Sequence, residues 1–177
     1  MIRKVLIATD GSDHATRAVA FGSDIAAKCD AEVLLLHVMM RGDLSDGLRS
    51  WASAEHMAGK EKQPLYQAIA EISPGRFPTK VVIPSDDAAT IDQVLRTVGD
   101  QVLDQAKKVA HEHGVIKVAT RIEDRDPATC ILSNIASDGI DLVVSGARGT
   151  SDLKALLTGS VSHKISHLSP VPYTMVR

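Results

Sequence analysis

The sequence predicts an α/β fold: an open five-stranded parallel sheet with helices on both faces. Three observations predict it. Short β-branched runs alternate with stretches whose apolar residues recur every three or four positions, which is the order of βαβ crossovers. The runs at 31–38 and 140–145 are almost wholly apolar, as strands covered on both faces must be. Aromatic residues make up only 3% of the 177, so the core has to be built from Val, Ile, Leu and Ala.

Taken in order, residues 2–9 form the first strand. Asp10-Gly11-Ser12-Asp13 then turns the chain and caps a helix from about Asp13 to Lys28. Ala15, Ala18, Gly22, Ile25 and Cys29 recur along it at helical spacing. Residues 31–38 form the second strand. The next clear helix is capped by Ser85-Asp86-Asp87, carries Ile91, Val94, Val98, Val102, Ala106, Val109 and His113, and stops at Gly114. Residues 116–122 read as a strand. Asp126-Pro127 opens a helix holding Cys130, Ile131, Asn134 and Ile135, and Gly139 ends it. A strand at 140–145, a glycine loop, a helix at 161–169 and a closing strand at 170–176 complete the chain. The organisation is a single domain, 1–177, with an insertion at about 39–84.

Several functions lack support in the sequence. A formal net charge of −2 gives no electrostatic case for nucleic acid. The opening apolar run is too short for a signal peptide, and no other run is long enough to span a membrane. A cytoplasmic protein is expected. Cys29 and Cys130 form no Cys-x-x-Cys, and both lie on apolar helix stripes, so buried thiols are expected. His163 and His167 stand four apart, a metal-ligand spacing, but no carboxylate or thiol completes a set, and no metal site is assigned. His111 and His113 suit the end of a helix. No nucleophile elbow is present and no catalytic set emerges.

The most informative stretch is 146–160. Gly146-x2-Gly149-x9-Gly159-Ser160 lies between a strand and a helix start, where backbone N–H groups and the helix dipole favour phosphate. It is neither a Walker loop nor a dinucleotide fingerprint. Together with Val161-Ser162 it resembles the nucleotide loop of the universal stress protein family, in its ATP-binding branch. The resemblance covers about 1–38 and 85–177. It implies strand order 3-2-1-4-5, the adenine nucleotide alpha hydrolase-like arrangement, which puts the first and fourth strands at the topological switch point where ligands bind.

Position by position, the resemblance implies that Ala8, Thr9 and Asp10 end the first strand at the nucleotide, with Asp10 meeting the ribose hydroxyls. Asp10 can equally serve as a turn acid for the first helix. Val38 matches the residue whose backbone pairs with adenine; it can also be plain core. Ser145, Gly146, Arg148 and Gly149 would line the ribose and first phosphates. Gly159, Ser160, Val161 and Ser162 would hold the outer phosphates. The cofactor implied is ATP, with Mg or Mn carried on the phosphates. The function implied is a nucleotide-responsive stress protein, dimeric through antiparallel pairing of its last strand. The alternative is a slow ATP hydrolase or nucleotidyl transferase on the same cleft, aided by Asp43, Asp46, Glu55, His56 or Glu61. The insertion leaves the carboxyl edge of the sheet after Val38, and a partly helical lid over the nucleotide is expected of it.

Overall fold

The computed structural model describes residues 1–39, 88–149 and 160–177. The expected cap at 85–87, the candidate groups at 43–61, the lid and Gly159 all lie outside these residues. The chain divides into two compact units: Met1–Met39 with Gly99–Arg177, and Met40–Val98. Of the second unit the described part is helical, and there Arg96 pairs with Asp92 one turn away at 2.8 Å.

The first unit holds all the described strands: β1 (Lys4–Ala8), β2 (Glu32–Val38), β3 (Val118–Glu123), β4 (Leu142–Gly146) and β5 (Tyr173–Val176). They form one sheet in the order β3-β2-β1-β4-β5, and every pairing is parallel. The helices are α1 (Asp13–Lys28), α2 (Ala88–Glu112), α3 (Pro127–Asp138) and α4 (Ser160–Leu168). Strand alternation divides the core into two layers. Val5, Ile7, Val33, Leu35 and Val144 face α1 and the Leu103–Ala110 part of α2. Leu6, Leu34, Leu36 and Val143 face α3 and α4 through Ile131, Ile135 and Ile165. Helices therefore cover both faces, and the order 3-2-1-4-5 is the expected one.

Local chemistry sets the element ends. Ser12 caps α1, its hydroxyl accepting from the Ala15 N–H at 3.2 Å. Asp126 caps α3 in the same way through Thr129, with Pro127 in the first turn, and Gly139 closes that helix in the left-handed conformation. β1 starts at Lys4, later than expected, and the Asp141 carboxylate accepts the Arg3 and Lys4 N–H groups instead. β3 starts at Val118 because Ile116 stands out in solvent. Gly22 lets α1 lie close on the sheet: a Cβ there would meet Ile7 Cδ1 at 2.7 Å.

Two cysteines behave differently. Cys130 is buried, as expected. Cys29 is exposed, which corrects the expectation of two buried thiols. It lies one residue beyond α1, as its C-cap, where the apolar stripe has already left the sheet. Among the described residues no helix is long and apolar enough to cross a membrane.

Candidate functional site

The carboxyl ends of β1, β2 and β4 are Ala8, Val38 and Gly146. β1 and β4 are neighbours, but α1 leaves β1 toward one face while α4 follows β4 on the other. That divergence opens the crevice of a topological switch point.

After Ala8 the chain turns sharply. The Thr9 N–H continues the ladder to the Leu36 carbonyl at 2.9 Å, and the Thr9 side chain is buried. Asp10 then folds over its own turn, its Oδ1 accepting from the Ser12 N–H at 2.9 Å. Gly11, at φ +79°, makes the turn possible. The turn-acid role of Asp10 is thus real. So is its placement toward the glycine loop: a Cβ on Gly149 would lie 2.6 Å from Asp10 Oδ2. One oxygen caps the turn, and the other faces the loop after β4.

The first two motif glycines serve different needs. Neither is among the described glycines with positive φ, which are Gly11, Gly114 and Gly139. Gly146 is required by packing, since a Cβ there would come within 2.9 Å of the Ala15 nitrogen and the His14 carbonyl carbon. At Gly149 a Cβ would meet only the end of the Asp10 side chain, which could rotate aside. Turn-making explains neither.

Val38 is buried, and its ladder shows where its backbone points. Met39 donates to Glu123 and Thr9 donates to Leu36, so by alternation the Val38 amide and carbonyl face the β1 side. β1 pairs only as far as Leu36. A continuing ladder would bring the Gly11 N–H to the Val38 carbonyl, but Gly11 donates to Thr9 Oγ1 at 3.3 Å. The Val38 carbonyl therefore sits beyond the last rung, on the crevice side.

The remaining residues divide into backbone supports and exposed positions. Ser145 is buried, and its hydroxyl is engaged with the Tyr173 hydroxyl at 2.7 Å and the Gly146 carbonyl at 3.1 Å. Ser162 is buried too, and it donates toward the Gly146 and Ala147 carbonyls at 3.2 and 3.0 Å. These hydroxyls brace the loop from within. Val161 packs partly on the core, while Arg148, Gly149 and Ser160 are exposed. Burial holds the Tyr173 hydroxyl protonated above its ordinary range.

Sequence reasoning missed two positioning residues. His37 is buried at the end of β2, with Nδ1 3.0 Å from the Thr9 carbonyl. A carbonyl can only accept, so Nδ1 carries the proton and clamps the β1 turn to β2. Gly99 makes room for that ring: a Cβ there would meet His37 Cδ2 at 2.9 Å. Tyr173 is the other, through Ser145. Both lie inside strands and carry no spacing signal.

Comparison with known proteins places this geometry among relatives. A model of the universal stress protein family matches residues 1–177. The universal stress protein YxiE of Bacillus subtilis is 31% identical over 177 residues, covering all of both chains. The universal stress protein MJ0531 of Methanocaldococcus jannaschii is 26% identical over all of this chain and 83% of its own. Among solved structures, a universal stress protein in complex with cAMP superposes with a TM-score of 0.63 at 18% identity, over 99% and 97% of the two chains. The universal stress protein from Archaeoglobus fulgidus in complex with dAMP gives 0.57 at 15% identity, over 100% and 98%.

Proposed function

Because this chain belongs to the universal stress protein family, we propose that it binds an adenine nucleotide, ATP with magnesium on its phosphates, in the crevice between β1 and β4. The observation that carries the reading is the Asp10 carboxylate set against Gly149. A carboxylate is an acceptor matched to the two hydroxyls of a ribose. Two relatives of the same fold are complexes with adenine nucleotides, cAMP and dAMP.

In this reading each residue has a task set by its place. The Val38 carbonyl offers an acceptor to the adenine amino group. Thr9 and Ala8 fix the β1 end, and His37 keeps that end in register. Gly146 and Gly149 bring the backbone close. The N-terminus of α4, from Ser160, would offer its first amides to the phosphates, with Arg148 adding positive charge; Gly159, outside the described residues, is proposed to join them. Ser145 donates to the Gly146 carbonyl and Ser162 to the Gly146 and Ala147 carbonyls, which braces the start of the loop. Magnesium supplies charge neutralisation on the phosphates. Chemistry at the phosphates is not needed for a binding module that reports nucleotide to a partner.

Assembly follows from the sheet edge. Val143 and Ala147 donate to the Pro172 and Val176 carbonyls, which puts the backbone groups of Tyr173 and Met175 on the open side of β5. Antiparallel pairing of two such edges would give a cytoplasmic homodimer. Calorimetric titration of the full chain with ATP, AMP and cAMP in magnesium buffer tests the site. Saturable binding that Asp10→Ala weakens at least tenfold is expected, and no binding of any of the three overturns the reading. The same mixture should keep its ATP over minutes; many turnovers per minute would favour the hydrolase alternative. Sedimentation at micromolar concentration should give a dimer.

A further inference from the structure

We propose that His163 and His167 form a two-histidine surface site on α4 for a divalent late transition-metal ion, held most tightly as Cu2+. The spacing of four residues stacks the two side chains one turn apart on a helix. Both are exposed, and the structure adds what spacing alone could not: ring placement. The ring centres are 4.7 Å apart, with planes at 62°.

That separation is the one a chelate needs. With metal–nitrogen bonds of about 2.0–2.1 Å, two imidazoles bound side by side on one ion set their ring centres roughly 4.5–5.2 Å apart, for ligand angles between square and tetrahedral. The observed pair falls inside this range before any ion arrives. The rings meet edge to face, and rotation about their side-chain bonds turns a nitrogen of each toward one point between them.

The scaffold beneath the pair is rigid. Ile165, between the two histidines, is fully buried. Ser162 ties the start of the helix to the Gly146 and Ala147 carbonyls. Lys164 bonds Asp126 of α3 at 3.0 Å, and Ser166 bonds the His163 carbonyl at 2.7 Å. Ordering cost is thereby confined to the two rings, which preorganisation lowers.

The donor set decides the ion. Two neutral imidazoles suit copper, nickel and zinc, and the affinity order at nitrogen sites peaks at Cu2+. Mg2+ and Ca2+ demand oxygen ligands, which the two imidazoles do not offer. Among the described residues no group of three or more His, Cys, Asp or Glu is arranged to hold an ion. The pair supplies two ligands, and water or an incoming donor can take the other positions. This site is separate from the magnesium proposed on the nucleotide phosphates, whose ligands would be oxygen.

The experiment titrates the full, untagged chain with CuCl2 in a non-coordinating buffer, read by calorimetry and by electron paramagnetic resonance. The expected result is a tight class of one ion per chain with two imidazole nitrogens in its hyperfine pattern. His163→Ala and His167→Ala should each weaken that class at least tenfold, and ZnCl2 should bind the parent more weakly than CuCl2. Both side chains are exposed, so the variants should keep the parent's circular dichroism and melting temperature. A spectrum of the parent lacking two imidazole nitrogens overturns the proposal. So does an unchanged affinity in the double variant.

Discussion

A single methyl group at Gly146 and at Gly149 is expected to damage two different properties. At Gly146 the added Cβ would sit 2.9 Å from the Ala15 nitrogen and the His14 carbonyl carbon. Those are backbone atoms of the first turn of α1 and cannot swing aside. Overpacking of this kind costs about 1–3 kcal/mol. At roughly 2–4 °C per kcal/mol for a chain of this size, Gly146→Ala should lower the melting temperature by about 2–12 °C. At Gly149 the added Cβ would lie 2.6 Å from Asp10 Oδ2, the end of a side chain that can rotate. Gly149 is exposed, so stability should stay within about 0.5 kcal/mol of the parent. The displaced carboxylate, however, would lose the place proposed for it at the ribose. A hydrogen bond to a charged group is worth about 1.5–3 kcal/mol, which is roughly 10- to 150-fold in ATP affinity. Scanning calorimetry and titration of both variants with ATP make the comparison. If Gly149→Ala melted as early as Gly146→Ala yet bound ATP like the parent, the assignment of Asp10 to the ligand would fail.

Three further outcomes are expected. Asp126→Ala removes the cap of α3 and its bond to Lys164, and should cost about 0.5–2 kcal/mol, read as a lower urea midpoint at unchanged slope. The Asp138 carboxyl is held below the usual range chiefly by its hydrogen bond to the Arg121 guanidinium. A depressed carboxylate contributes stability that is complete above its unfolded pKa, about 3.9, and is lost as pH falls through the folded value; Asp138→Asn should therefore be less stable at pH 7 and lose less between pH 5 and pH 2, and parallel acid curves for the two proteins would contradict this. The Cys130 thiol is pushed up to about 12, first by burial and then by the Glu123 carboxylate; native protein should consume one equivalent of a thiol reagent, at Cys29, and two only after unfolding, whereas two in the native state would show Cys130 accessible.

The parts of the fold that depend on burial period were legible in the sequence. Val5 and Ile7 against Leu6 sort to opposite layers because a strand alternates, and Ala18, Gly22 and Ala26 meet the sheet because a helix repeats. Signals failed where geometry departs from the ideal element. Cys29 continues the α1 spacing on paper, yet its backbone belongs to the cap and its side chain leaves the stripe. His37 and Tyr173 look like ordinary strand positions. Their partners, Thr9 and Ser145, lie 28 residues away in each case, and no local pattern encodes so remote a bond.

The glycine motif shows why a legible pattern is still not a mechanism. Its resemblance implied that the glycines line a nucleotide, Gly146 and Gly149 at the ribose and first phosphates and Gly159 at the outer phosphates. In the fold, Gly146 is demanded by the start of α1 and would be needed with no ligand present. At Gly149 a side chain would displace only the rotatable Asp10 carboxylate, so the missing side chain matters for where that carboxylate is held. Asp10 Oδ1 accepts the Ser12 N–H, and Oδ2 faces Gly149. A glycine that keeps Oδ2 in place is costly for stability alone, since glycine loses more conformational freedom on folding than any other residue. The proposed nucleotide reading gives Asp10 and Val38 a use as acceptors for a ribose and for a base amino group, and that proposal rests on them more than on the count of glycines.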